Sequence, residues 1–166
     1  LNGLAGRVTV VCADAGDVDA LRRNGLAAGS FDCVLMNPPF FDARRHNVSP
    51  DPRRRSAHVG DPALLSRWAS VSAWLLGPAG TVTLIWRADG LAEVLSTLVP
   101  AFGDISVLPV LPRAGAAAIR VLVRATKGRA ASQTTCRPLV LNDDQGRPTA
   151  EAEAVMRAGG FLEFVR

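Results

Sequence analysis

A chain of 166 residues, 48% hydrophobic and 20% charged, is long enough to bury one core and too short for a string of domains. Its net charge of +4, with eighteen arginines against one lysine, favours an anionic partner only weakly, because a mild basic excess suits any soluble protein. Three scattered cysteines, with no CxxC pair and no histidine at ligand spacing, argue against a metal site and a disulfide framework; without a signal, lipidation or membrane-length apolar segment, no membrane partner is expected and the cytoplasm is the default.

Taken in chain order, strands and helices alternate, which predicts an α/β domain. Residues 7–12 read as a buried strand and 17–26 as a helix ending near Gly25 or Gly29. Residues 31–36 form the second strand. A loop fills 37–60, and a helix follows with Asp61 as N-cap, Pro62 in its first turn and a stop at Gly77. That helix carries Leu64, Leu65, Trp68, Val71, Leu75 and Leu76 on one stripe, which is core spacing, so Trp68 and Trp74 read as anchors of the interior. Residues 81–86 make a third strand, Asp89 caps a helix that ends before Pro100, and 105–111 with 118–124 read as an antiparallel pair. Pro109 predicts an edge position for the former. Residues 126–135 read as a polar connection, and Thr149 as the cap of a last helix through Arg157. Cys12 and Cys33, inside apolar runs, are expected to be buried small hydrophobes.

The most specific motif is Asn37-Pro38-Pro39-Phe40, directly after the strand Phe31-Asp32-Cys33-Val34-Leu35-Met36. Successive prolines fix φ and push Asn37 into extended backbone, so the Asn37 side-chain oxygen and the Pro38 carbonyl become fixed acceptors with little entropy left to lose. An exocyclic amine on adenine is a poor nucleophile; two acceptors would hold its two N–H bonds while Phe40 stacks on the base. Asn-Pro and Pro-Pro are also ordinary turn initiators after a strand. Five arginines follow within twelve residues: Arg44, Arg45, Arg53, Arg54 and Arg55. Pro50 and Pro52 break this stretch, so it is a basic loop, suited to nucleic-acid phosphates or simply solvated.

Through Asn37-Pro38-Pro39-Phe40, the loop Arg53-Arg54-Arg55-Ser56-Ala57-His58 and the segment Gln145-Gly146-Arg147-Pro148-Thr149-Ala150-Glu151, the chain resembles class I methyltransferases of the amino-methylating kind. Within them it is most similar to the bacterial tRNA (valine) adenine-N6 methyltransferases. The resemblance implies a Rossmann-like fold with strand order 3-2-1-4-5-7-6, S-adenosyl-L-methionine as cofactor and tRNA as partner. It implies catalytic roles for Asn37, Pro38, Pro39 and Phe40. Asp14, Ala15 and Asn37 would bind cofactor, and Arg44, Arg45, Arg53, Arg54, Arg55 and His58 would bind substrate.

Asp14 and Asp17 compete for two jobs, one accepting a hydrogen bond from the cofactor's adenine and one capping the following helix. His46 and His58 are not required as bases, since a methylated amine can lose its proton to water. No glycine-rich cofactor turn follows any expected strand. The resemblance therefore implies that residues 1–166 form the C-terminal part of one methyltransferase domain, with strands three to seven present and one and two absent. Such a fragment is expected to be inactive alone, and tight binding of S-adenosyl-L-methionine by it would contradict the missing turn. The first strand would then lack a neighbour, which invites homo-oligomer pairing. Two other readings stay open: glutamine-N5 methylation of a protein, which poses the same problem at an amide nitrogen, and a non-catalytic RNA-binding or assembly fragment.

Overall fold

A computed structural model describes residues 6–39 and 63–165 of the chain. Its centre is a mixed sheet built from β1 (Phe31–Met36), β2 (Leu76–Arg87), β3 (Phe102–Arg113) and β4 (Arg120–Lys127), in the order β1-β2-β4-β3. β1 lies parallel to β2, while β4 is antiparallel to both β2 and β3. One reversed strand between two that run alike is the arrangement implied for strands 4-5-7-6. Two short strands, β5 (Gln133–Thr135) and β6 (Leu139–Asn142), lie in succession along the outer side of β3, both parallel to it.

Alternation along the strands creates the main core. Val82, Leu84 and Trp86 of β2 and Val121, Val123 and Ala125 of β4 are buried on one face of the sheet. Two helices cover that face: α2 (Leu64–Leu75) with Leu65 and Ala69, and α3 (Leu91–Leu98) with Val94 and Leu98. α1 (Val18–Arg23) lies beside α2, with the Arg22 guanidinium 5.3 Å from the centre of the Trp74 ring. A smaller cluster on the opposite face joins Leu108, Val110, Cys136 and Leu139, with Leu162 and Phe164 of the C-terminal tail packed onto it. The tail is tied by a hydrogen bond from Arg137 N to the Val165 carbonyl and by Arg124 stacked 4.1 Å over Phe164.

Caps written into the sequence set several helix ends. Asp17 accepts from the backbone N–H groups of Asp19 and Ala20 at 2.8 and 3.0 Å, and Gly25 takes φ +86° after the end of α1. Thr149 Oγ1 accepts from Ala152 N at the start of α4 (Ala150–Arg157) and donates to the Val140 carbonyl at 2.7 Å. Thr149→Ala should therefore cost about 1 kcal/mol, read as a lower denaturant midpoint.

Other expectations need correction. Residues 7–12 do not form a strand: Val8 and Val10 are exposed, at 59% and 88%, and the segment has no ladder partner among the described strands. An apolar run cannot become a strand without a neighbour to take its backbone hydrogen bonds. Of the five strands anticipated, the first is thus not formed. Cys12 is exposed for the same reason, and Cys33 is exposed on the uncovered face of β1; Cys136 is the buried cysteine. β3 is not an edge strand either. The Val107 carbonyl accepts from Cys136 N on the outer side, so Pro109, two residues on, directs its nitrogen into the gap between β5 and β6, where no N–H is needed.

Asp89 does not cap a helix: it sits in a 3-10 turn (Ala88–Gly90), and its carboxylate is held by Arg87 at 2.9 and 3.1 Å. α2 ends at Leu75, and Gly77 already belongs to β2; the proposed cap Asp61 and Pro62 lie outside the described residues. The stretch 126–135 holds the end of β4 and all of β5. Among the described residues no helix is long and apolar enough to cross a membrane.

Candidate active site at the carboxyl end of β1

The chain leaves β1 at Met36 and turns through Asn37, Pro38 and Pro39 at the carboxyl end of the parallel strands. Pro38 is fully buried, whereas Asn37 and Pro39 are exposed. Val34 and Met36 pack on the helix side of the sheet, and Ser72 of α2, 3% exposed, donates to the Trp68 carbonyl at 2.7 Å with its Oγ 3.8 Å from Met36 Sδ. β1 thus ends against α2, with one proline sunk into the structure and the asparagine outside. Neither the Asn37 side chain nor the Pro38 carbonyl has a hydrogen-bond partner among the described residues. Phe40, Arg44, Arg45, Arg53, Arg54, Arg55 and His58 lie outside the described residues.

Asp14 and Ala15 approach the same end of the sheet. The Gly29 N–H donates to the Trp74 carbonyl, so the end of α2 lies beside the entry to β1, and its start beside the exit. Gly16 packs against that start: a Cβ there would lie 3.3 Å from Arg67 Nε. Asp14 and Ala15 are exposed in this loop; Asp14 Oδ1 accepts from Gly16 N at 2.8 Å, and its Oδ2 has no partner among the described residues. Capping falls to Asp17. Hydrogen bonding from Ala20 N, opposed by partial desolvation and assisted by Asp19 N and Arg23, holds Asp17 below the ordinary carboxylate value.

The segment from Gln145 to Glu151 is structural. Asp143 accepts from Arg147 N and Gln145 N, both at 2.9 Å, and pairs with the Arg147 guanidinium, while Gly146 takes φ +78°. Glu151 forms a two-point bond with Arg137. The Arg147 backbone hydrogen bond, more than its side chain and Gln145 N, and against desolvation, holds Asp143 below its ordinary value of 3.8. A carboxyl whose folded pKa is depressed stabilises the fold fully above its unfolded pKa and loses that contribution as pH falls through the folded value. Asp143→Asn should therefore lose less melting temperature than wild type between about pH 5 and pH 3 in a thermal scan.

No protein-family model and no curated protein sequence matches this chain. Among solved structures, a predicted O-methyltransferase from Agrobacterium tumefaciens superposes with a TM-score of 0.76 and 24% identity, covering 95% of this chain and 66% of its own. The chain adopts a Rossmann-like methyltransferase fold. A Thermus thermophilus protein provisionally assigned as a DNA modification methylase covers 84% of this chain and 56% of its own at 13% identity, with a TM-score of 0.47. A SAM-dependent methyltransferase from Methanosarcina mazei covers 69% and 64% at 13% identity, with a TM-score of 0.39. These two are too loosely superposed to inform topology or chemistry. The chain spans less than two thirds of the length of each of these proteins.

On this fold, ligands collect outside the carboxyl ends of the parallel strands. Asn37, Pro38, Pro39, Asp14 and Ala15 all lie at that end. Among the described residues no group of three or more histidine, cysteine or acidic side chains is placed to hold a metal. Arg87 and Arg120 stand opposite each other at the same end of β2 and β4. Only strand register reveals them, since thirty-three positions separate them in the chain.

Proposed function

We propose that this protein is an S-adenosyl-L-methionine-dependent N-methyltransferase whose acceptor is the exocyclic amine of an adenine in tRNA. One observation carries the reading: a proline-locked corner at the carboxyl end of β1 buries Pro38 and leaves the Asn37 side-chain oxygen and Pro38 carbonyl unengaged among the described residues. Two acceptors match an amino group, which offers two N–H donors, better than a hydroxyl, which offers one. For this reason we favour nitrogen over the oxygen acceptor named for the Agrobacterium protein.

Asp14 and Ala15 fit the adenine end of the cofactor, because Asp14 keeps an oxygen without a partner among the described residues and stands in an exposed loop near the same sheet end. When bound, the cofactor supplies a methyl group activated on a sulfonium. Asn37 and Pro38 hold the acceptor nitrogen toward it. A nitrogen–carbon bond forms as the carbon–sulfur bond breaks, the bonding pair leaves on sulfur, and the surplus proton passes to water. Positioning supplies most of the rate: a neutral hydrogen bond nets about 0.5–1.5 kcal/mol, whereas alignment of two reactants can supply roughly 7–11 kcal/mol.

Glutamine-N5 methylation fits the same corner, because an amide also offers two N–H bonds; the arginines from Arg44 to Arg55 favour RNA. Incubating full-length protein with methyl-labelled cofactor and either unmodified tRNA or a glutamine-bearing protein separates the two. Label in tRNA is expected; label in protein alone overturns the RNA acceptor while leaving methyl transfer intact.

A further inference from the structure

Resting on methyl transfer at the Asn37 corner, we infer that Ser72 is a positioning residue for that reaction, acting through Met36 to set where the Asn37 oxygen lies. Asn37-Pro38-Pro39 is stiff, because each proline fixes its own φ and holds the residue before it extended. A stiff piece is aimed by its mounts. Met36 packs on the helix side of the sheet, Asn37 is exposed and Pro38 is fully buried, so the asparagine stands between two inward anchors. Pro38 anchors through a rigid ring, whereas the flexible Met36 side chain needs a stop.

Ser72 supplies it. Leu65, Ala69 and Ser72 follow one another at helical spacing and are all buried, which puts Ser72 in the stripe of α2 that faces the sheet. Among the described residues Ser72 is the one polar or charged residue that is buried. Alanine would fill the same place with better helix propensity and no hydroxyl to satisfy, so helix formation does not account for the serine. The hydroxyl proton goes to the Trp68 carbonyl at 2.7 Å, which fixes the side-chain rotamer and leaves Oγ 3.8 Å from Met36 Sδ. The thioether rests against a fixed oxygen. Met36 is also the last residue of β1 in register with β2, opposite Leu84, so beyond it no ladder holds the chain. There the contact with Ser72 and the burial of Pro38 set the depth of the corner. Without the oxygen Met36 settles toward α2 and the corner tilts after it; a misplacement of about 1 Å costs about a hundredfold in rate, and a smaller one about tenfold.

Steady-state methyl transfer by the full-length protein tests this. Ser72→Ala should lower kcat about tenfold while KM for the acceptor and cofactor affinity change less than about twofold, with the melting temperature unchanged or raised. A purely structural serine would give the reverse, a lower melting temperature and an unaltered kcat well below it. Ser72→Cys, which keeps an atom in the Oγ position, should recover most of the rate. Met36→Leu should also lower kcat, and Ser72→Ala/Met36→Leu should be no slower than the slower single variant, because both changes act at one contact. Losses that multiply in the double variant, no recovery with cysteine, or an unchanged kcat in Ser72→Ala would overturn the role of Ser72. If Ser72→Ala keeps the full rate while Asn37→Ala is inactive, this inference fails and the corner stands; if Asn37→Ala is fully active, or wild type transfers no methyl, both fall.

Discussion

Asn37→Ala should lower methyl transfer by about a hundred- to a thousandfold in the full-length protein while leaving cofactor affinity nearly unchanged. The side chain is exposed and has no partner among the described residues, so its removal costs the fold little. What disappears is one of two acceptors that orient the amine, and a misplacement of about 1 Å is enough to cost about a hundredfold. Asn37→Asp keeps an acceptor oxygen and should retain more activity than alanine. Steady-state rates at saturating cofactor, with calorimetric titration of the cofactor, separate these effects. Full activity in the alanine variant would remove the corner from the mechanism.

The largest effect on stability is expected at Gly103. β3 changes register between Gly103 and Ser106, and Asp104 takes φ +47°, so the strand bends as the loop after β4 crosses it. A Cβ on Gly103 would run into the carbonyl oxygens of Arg129 and Ala130. That loop is held by hydrogen bonds from Asp104 N to the Ala130 carbonyl at 3.1 Å and from Ile105 N to the Ser132 carbonyl at 2.8 Å. Gly103→Ala forces it away, and overpacking with the loss of one or two hydrogen bonds should cost about 2–4 kcal/mol in urea unfolding. Gly128 offers the comparison: its φ is +72° but nothing lies within 4 Å of an added Cβ, so alanine there should cost only about 1–2 kcal/mol of backbone strain. If Gly128→Ala proved the more damaging, the close approach at Gly103 would not be the controlling contact.

How much was legible depends on whether the decisive interaction is local. Thr149 caps its helix as read, and Asp17 proves to be the capping one of the two candidate aspartates, because a cap lies within three residues of its partners. The order β1-β2-β4-β3 followed from resemblance to a known strand order, with the apolar runs at 31–36, 81–86, 105–111 and 118–124 in their expected slots. Non-local facts were hidden. The run from Arg7 to Cys12 has strand composition but no neighbour; Pro109 sits in a paired strand because two short strands happen to leave a gap beside it. Asp89, next to a helix start, preferred the guanidinium of Arg87 to the helix N-terminus. At the candidate site, Asn37 and Asp14 could be picked from motif and loop position. The cross-strand pairing of Arg87 with Arg120 could not, since the two are brought together only by the sheet.

The central claim is that the Asn37-Pro38-Pro39 corner presents an adenine amine for methylation. Its most direct test is to incubate full-length protein with methyl-labelled S-adenosyl-L-methionine and unmodified tRNA, digest the RNA to nucleosides and identify the labelled one by chromatography and mass spectrometry. N6-methyladenosine formed by wild type and missing with Asn37→Ala is the predicted result. Label at a ribose or other oxygen, or N6-methyladenosine formed equally by both proteins, would contradict it.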